Sequence, residues 1–259
     1  MALCGREPNL RGGVVITCRS TVLARCVSHD RLERMVAMDP NLATTLVPMH
    51  ITWAMRGAGA AAMVGGLGAI AMTPPFAVSF FLAYPGENSL PFWFATAEDR
   101  LGPLLSFASP VDVYEVYGRY YNLVYLLFVP MIFVLHHAQA SRNIVLERRG
   151  FVVLTSGVAL TAVGVAGDYW ANGAGFPIEA LGLLAMIVGV TMWGIAGVRS
   201  DVLPRLWSWT LLSCGPGALA TSALVGHLPS GPTLSFALAW LIVGTLLLTH
   251  GDTAVTKYR

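Results

Sequence analysis

The sequence predicts an all-α polytopic membrane protein, a bundle of six transmembrane helices with both termini cytoplasmic. Three observations carry that expectation. Only 12% of the 259 residues are charged and 55% are hydrophobic, where a soluble domain carries about 25% charged residues. Six runs approach the ~20 apolar residues that a helix needs to cross a bilayer core. Basic residues segregate strongly to one side of the spans those runs define.

Residues 1–56 form a basic cytoplasmic N-terminal arm that is expected to be partly disordered. It holds seven arginines (Arg6, Arg11, Arg19, Arg25, Arg31, Arg34, Arg56) and no long apolar run. The apolar core of a secretory signal is missing from it. Residues 41–55 carry Leu46, Val47, Met49, Ile51, Trp53 and Met55, a pattern for a short interfacial helix leading into the bilayer.

The membrane domain covers 57–250, and 251–259 is a cytoplasmic tail. Its first span, 58–83, is dominated by alanine and glycine. Gly57, Ala61, Gly65 and Ala69 recur every fourth residue, with Ala58, Ala62 and Gly66 beside them. Such a small-residue face lets helices approach closely, and here it is expected to serve a membrane-protein partner or a second copy of the chain. Pro74-Pro75 is expected to kink or end the regular part of this helix. An outer connection, 85–109, follows. Phe92, Trp93 and Phe94 suit the headgroup level, and 96–107 suits a short surface helix with Leu101, Leu104, Leu105 and Phe107 on its apolar face.

The second span, 117–138, belongs to a longer helix that begins at Ser109-Pro110. The serine hydroxyl can accept a free backbone N–H, proline fits the first helical turn, and Asp112 completes a capping pattern. Tyr114, Tyr117, Tyr121 and Tyr125 form a stripe at helical spacing, and its upper tyrosines read as an interfacial belt. Pro130 interrupts the apolar part. Spans three to six follow at 151–170, 180–198, 206–226 and 233–250. Pro216 sits within the fifth.

With six spans, Arg100 and Arg119 are the outer basic residues and the other 14 of 16 lie inside. The outer side collects seven acids: Glu87, Glu98, Asp99, Asp112, Glu115, Asp168 and Glu179. This asymmetry predicts the cell membrane as the location, with cytoplasmic termini.

The candidate ligand-binding residues come from that outer acidic side. Asp112, Glu115, Arg119 and Asn122 are spaced by three and four and share one helix face. Asp168 and Glu179 bracket the connection between spans three and four. If these groups converge, they offer oxygen ligands for a divalent cation or a cationic solute. His136 and His137 end the second span. A haem reading of them needs an opposed ligand, for which His50 and His250 lie on the same side, yet histidines also suit a helix C-terminus.

Several classes are disfavoured. No catalytic residues are assigned. The GxSxG, HExxH, P-loop and dinucleotide-binding signatures are missing, and no cofactor is implied. The N-terminal arm interleaves acids and lacks aromatics, which argues against nucleic acid. Span centres lack charged residues, which disfavours a proton-coupled pump. Hydroxyls at Thr155, Ser156, Thr161, Thr191, Ser213, Thr221 and Ser222 suit helix-helix hydrogen bonds. The sequence therefore points to a non-enzymatic accessory or sensor-like membrane subunit with an acidic outer patch. A solute facilitator with an outer cation-recruiting site is the alternative, and a membrane-embedded enzyme acting on lipid is the third.

Overall fold

The computed structural model describes residues 4–8, 14–18, 40–86, 89–139, 144–171, 173–200 and 203–256. Side-chain surroundings are described within 53–249. The chain divides into two packing units, Met1–Met49 and His50–Arg259. In the first, β1 (Cys4–Pro8) pairs antiparallel with β2 (Val14–Cys18) in a register that sets Arg6 opposite Ile16. The remaining described elements are helices: α1 (Pro40–Ala83), α2 (Phe94–Leu105), α3 (Pro110–Gln139), α4 (Val145–Trp170), α5 (Phe176–Ser200), α6 (Arg205–Val225) and α7 (Ser230–Thr256).

Among the described residues, five helical segments are long and apolar enough to cross a membrane: Trp53–Ala83, Pro110–Gln139, Val145–Trp170, Phe176–Ser200 and Ser230–Thr249. The chain is thus a helical protein with the make-up of a membrane protein. Leu67, Leu126, Val163, Leu184 and Leu219 stand exposed on the outward faces, as lipid-facing side chains do. α6 is as long as a span but less apolar, and is not among the five. Its Ser208, Thr210, Ser213, Thr221 and Ser222 dilute the leucines and alanines of the sequence-predicted fifth span.

Two expectations bear on α1. The stretch predicted as a short interfacial helix leading into the bilayer is continuous with the first span. Helix persists through Pro74-Pro75 to Ala83, so the proline pair does not end it. The proline pair sits toward the C-terminal end of α1, where that helix is held against α3. Thr73 donates a hydrogen bond to the Ala69 carbonyl at 2.7 Å and shares one with the Tyr121 hydroxyl at 3.1 Å. Phe76 and Phe81 beyond it are buried.

The small residues of α1 are used within the chain. A Cβ added at Gly65 would meet Leu127 Cβ at 2.9 Å, and one at Gly66 would meet the Ala237 carbonyl at 2.7 Å. Ala62 and Ala69 are fully buried. α1 therefore seats against α3 through Gly65 and against α7 through Gly66. Gly57 has open space around it.

The closest packing lies between α4 and α5. Gly150, Gly157 and Gly164 recur every seventh residue on α4, as do Gly175, in the turn just before α5, and Gly182 and Gly189 on α5. An added Cβ at Gly157 would lie 2.6 Å from the Met186 amide nitrogen and 2.9 Å from the Gly182 carbonyl oxygen. At Gly150 it would lie 2.9 Å from the Trp193 amide nitrogen. The two glycine series face each other in antiparallel order, so backbone meets backbone along the hairpin.

The core runs through Phe76, Tyr121, Tyr125, Phe128, Trp193, Phe236 and Trp240, all at 0% exposure. Trp240 Nε1 donates to the Phe128 carbonyl at 3.1 Å. Pro232 falls in the first turn of α7, where its missing N–H is harmless. α2 lies over a second cluster, with Phe94 and Leu105 packed on Val78, Phe81 and Val113. Trp93 Nε1 donates to the Leu224 carbonyl at 2.9 Å, tying the start of α2 to the end of α6. Phe92 and Leu104 remain exposed, as expected of an interfacial helix.

Candidate functional site

The start of α3 is capped as its sequence predicts. The Asp112 amide donates to Ser109 Oγ at 3.3 Å, and the Ser109 hydroxyl donates to Asp112 Oδ2 at 2.5 Å. Asp112 thereby serves the helix end and stays exposed. One turn on, Arg119 donates to Glu115 Oε2 at 2.7 Å, and both side chains are about two-fifths exposed. Arg119 Nε also donates to the Tyr169 carbonyl at 2.9 Å. That bond satisfies a last-turn carbonyl of α4, so Arg119 joins α3 to the end of α4.

The other three candidates sit differently. Asp168 is half-buried, and its carbonyl accepts the Gly173 amide at 3.0 Å. Glu179 is 1% exposed, and neither carboxylate oxygen has a hydrogen-bond partner. Its burial follows from Gly164, whose missing side chain leaves room for the Glu179 backbone to lie directly against α4. Glu179 lies within electrostatic reach of Asp168, Tyr114, Tyr121, Tyr125 and Tyr169. Asn122 also carries a buried, unpartnered Oδ1. The six predicted residues thus divide into a capping acid, an ion pair, and a partly or fully desolvated set of Asp168, Glu179 and Asn122. Among the described residues, no three His, Cys, Asp or Glu side chains converge as a metal ion requires.

Beside the desolvated set lies a network that the sequence reading did not identify. The Tyr114 and Tyr169 hydroxyls are 2.8 Å apart, Tyr114 Oη is 3.3 Å from His227 Nε2, and His227 Nδ1 is 2.8 Å from Ser230 Oγ. Phe76 and Phe80 pack on the imidazole with ring centroids at 4.9 and 4.4 Å. His227 lies in the connection between α6 and α7, and burial pushes its pKa down to about 3. The ring is therefore neutral, with one nitrogen donating and the other accepting. Deeper in, the Tyr125 hydroxyl and Thr233 Oγ1 are 2.7 Å apart.

The reading of the upper tyrosines is accordingly corrected at Tyr114, which is a buried hydrogen-bonding core residue, as Tyr121 and Tyr125 are further along the stripe. Tyrosine suits either setting, since its ring is apolar and its hydroxyl needs one partner. Facing hydroxyls at Thr73, Thr233 and Tyr169 supply those partners, and they lie far away in sequence.

A second polar knot lies at the opposite end of the bundle. Glu147, 2% exposed, is 2.7 Å from His136 Nδ1 and accepts Trp193 Nε1 at 3.1 Å. His136 stacks on Phe151 with centroids 3.7 Å apart. One imidazole nitrogen of His136 is thus engaged, and His137 is exposed. His50 and His250 fall outside the described side chains.

The hydroxyls expected to bridge helices mostly bond to their own helix instead. Thr191 donates to the Ile187 carbonyl, Thr221 to Gly217 and Ser222 to Ala218, at 2.6–2.9 Å. In an apolar helix the carbonyl one turn back is always within reach. Thr161 crosses from α4 to the Met186 sulfur at 3.5 Å.

Chemically, the His227 network resembles a nucleophile-base arrangement only in composition. Ser230 touches the imidazole at 2.8 Å, but it is 0% exposed. A substrate has no approach to its hydroxyl in this conformation. Comparison with known protein families, with curated proteins and with solved structures finds no match to this chain.

Proposed function

We propose that the chain is a non-enzymatic membrane subunit of accessory or sensor-like type. It crosses the cell membrane six times, keeps both termini in the cytoplasm and carries an acidic patch on its outer face. Support for a sixth crossing comes from α6. Its 21 residues extend about 31 Å, matching a hydrocarbon core of about 30 Å. It also packs between α5 and α7, both apolar enough to span. The segregation of arginines supports the orientation.

The observation that carries the functional reading is the filled interior. Large core side chains are fully buried, the tyrosines of α3 bond inward, and glycine faces bring backbones together. A rigid, closed bundle suits a subunit that transmits or stabilises rather than one that turns over substrate. The test is gentle solubilisation from native membranes with cross-linking. The proposal expects a second membrane protein in stoichiometric amount, and a lone chain with no partner or ligand counts against it.

One observation favours a second reading, a solute facilitator with an outer cation-recruiting site. Glu179 is a buried carboxylate without a partner, and polar groups at membrane depth commonly mark a solute path. That reading expects flux in proteoliposomes that falls with Glu179→Gln and Asp168→Asn. Flux that ignores both substitutions removes it.

A further inference from the structure

At the other end of the bundle from His227, the first turn of α6 meets the last turn of α5 around an open cavity of about 310 Å³. Gly197, Val198, Arg205, Ser208 and Trp209 line it. That volume falls at the lower end of the range for ligand pockets.

Four features give the cavity a chemical character. Ser208 is 1% exposed, and its hydroxyl has no hydrogen-bond partner. A buried hydroxyl left unpaired is destabilising, so a ligand atom bonding to it gains more than a surface contact would. Gly197 creates the space beside it, since a Cβ there would sit 2.7 Å from Ser208 Oγ. α6 begins after Pro204 without a side-chain cap, and the first-turn N–H groups of a helix point toward its N-terminal end with partial positive charge. Arg205 brings a guanidinium to that end. At the facing end of α5, Arg199 lies in the last turn, and the Ser200 hydroxyl donates to the Gly197 carbonyl at 3.4 Å.

The setting also fits a lipid. Leu206 and Trp209 flank the cavity at 58% and 57% exposure, and tryptophan beside arginine at the end of a span-length helix marks the headgroup level. We propose that this cavity binds the phosphate of an anionic phospholipid headgroup. Arg205 and the Ser208 hydroxyl hold the phosphate oxygens, and Trp209 packs along the glycerol and upper acyl chain. Such a site goes beyond the accessory-subunit reading and does not depend on it.

The test uses the full chain in a neutral detergent. Its unfolding midpoint is followed against added phosphatidylglycerol, phosphatidylcholine or inorganic phosphate. Phosphatidylglycerol is expected to raise the midpoint saturably and phosphatidylcholine is not. Arg205→Gln and Ser208→Ala should each raise the lipid concentration for half-effect about fivefold. Arg199→Gln, a nearby cation outside the cavity, should leave it unchanged and so reports general charge attraction. Inorganic phosphate protecting as well as the lipid would overturn the lipid assignment in favour of a soluble phosphate. Equal protection by both lipids, or unchanged response in Arg205→Gln and Ser208→Ala, would overturn the site.

Discussion

Gly157→Ala is a small substitution with a large expected consequence. On a free helix it is favourable, because alanine exceeds glycine in helix propensity by about 0.8–1.0 kcal/mol. In the α4-α5 hairpin the new methyl would lie 2.6 Å from the Met186 amide nitrogen, 2.9 Å from the Gly182 carbonyl oxygen and 2.9 Å from Met186 Cγ. Two of those three atoms are backbone and cannot rotate away. Relief requires the helices to part by roughly 0.5–1 Å, which forfeits about a quarter to a half of the dispersion well for each atom pair that loses contact. Gly150 and Gly164 share the same seam, so the loss spreads along it. Overpacking of about 1–3 kcal/mol exceeds the propensity gain at its mid-range, leaving a net loss of about 1 kcal/mol. Gly68→Ala is the internal control, since nothing lies within 4 Å of its added Cβ, and it should gain a few tenths of a kcal/mol. The assay is reversible unfolding of both variants in mixed micelles. Gly157→Ala matching or exceeding the stability of the parent would refute the backbone-on-backbone reading of this hairpin.

Other perturbations separate buried polar work from surface charge. His227 has its pKa lowered to about 3 by burial, against about 6.5 in an unfolded chain. Between those values the unfolded state binds the extra proton, so stability falls as pH drops. From pH 7.5 to pH 5 the loss should be about 2 kcal/mol, and His227→Asn should flatten that slope; an unchanged slope would place the titration elsewhere. His136→Phe keeps the stack on Phe151 but leaves the buried Glu147 carboxylate with one fewer hydrogen bond. It should cost about 1.5–3 kcal/mol in the same unfolding assay, whereas a cost near zero would mean that Glu147 is satisfied without it. Glu115→Gln removes a half-exposed pair and should cost under ~0.5 kcal/mol. Arg119→Met also frees the Tyr169 carbonyl and should cost about 1 kcal/mol more; equal effects would deny the α3-α4 tie.

Much of this architecture is legible in the chain because a bilayer imposes length and apolarity on any crossing helix. Five of the six predicted spans coincide with helices apolar enough to cross. The cap at Ser109 and Asp112 and the Glu115-Arg119 pair are local, and local spacing predicts them. Less legible is anything decided by a neighbouring helix. Glu179 reads as an outer acid like the others, and only the absent side chain at Gly164 turns it inward. Tyr114 reads as an interface residue until Tyr169 and His227 supply its partners. The seven-residue glycine series was available as a signal, at Gly150, Gly157, Gly164 and again at Gly175, Gly182, Gly189. His227, set between a glycine and Leu228-Pro229, carries no pattern that marks it as buried.

Whether α6 crosses the membrane decides the orientation of the chain, and with it the outer assignment of Asp112, Glu115, Asp168 and Glu179. Thiol labelling in intact cells measures this directly. The native cysteines are replaced by serine, and single cysteines are placed at Ser106, in the exposed turn after α2, and at Lys257 in the tail. A membrane-impermeant maleimide should label the Ser106→Cys chain from outside and reach the Lys257→Cys chain only after lysis. Labelling of Lys257→Cys in intact cells would put the termini on opposite sides and contradict the six-crossing account.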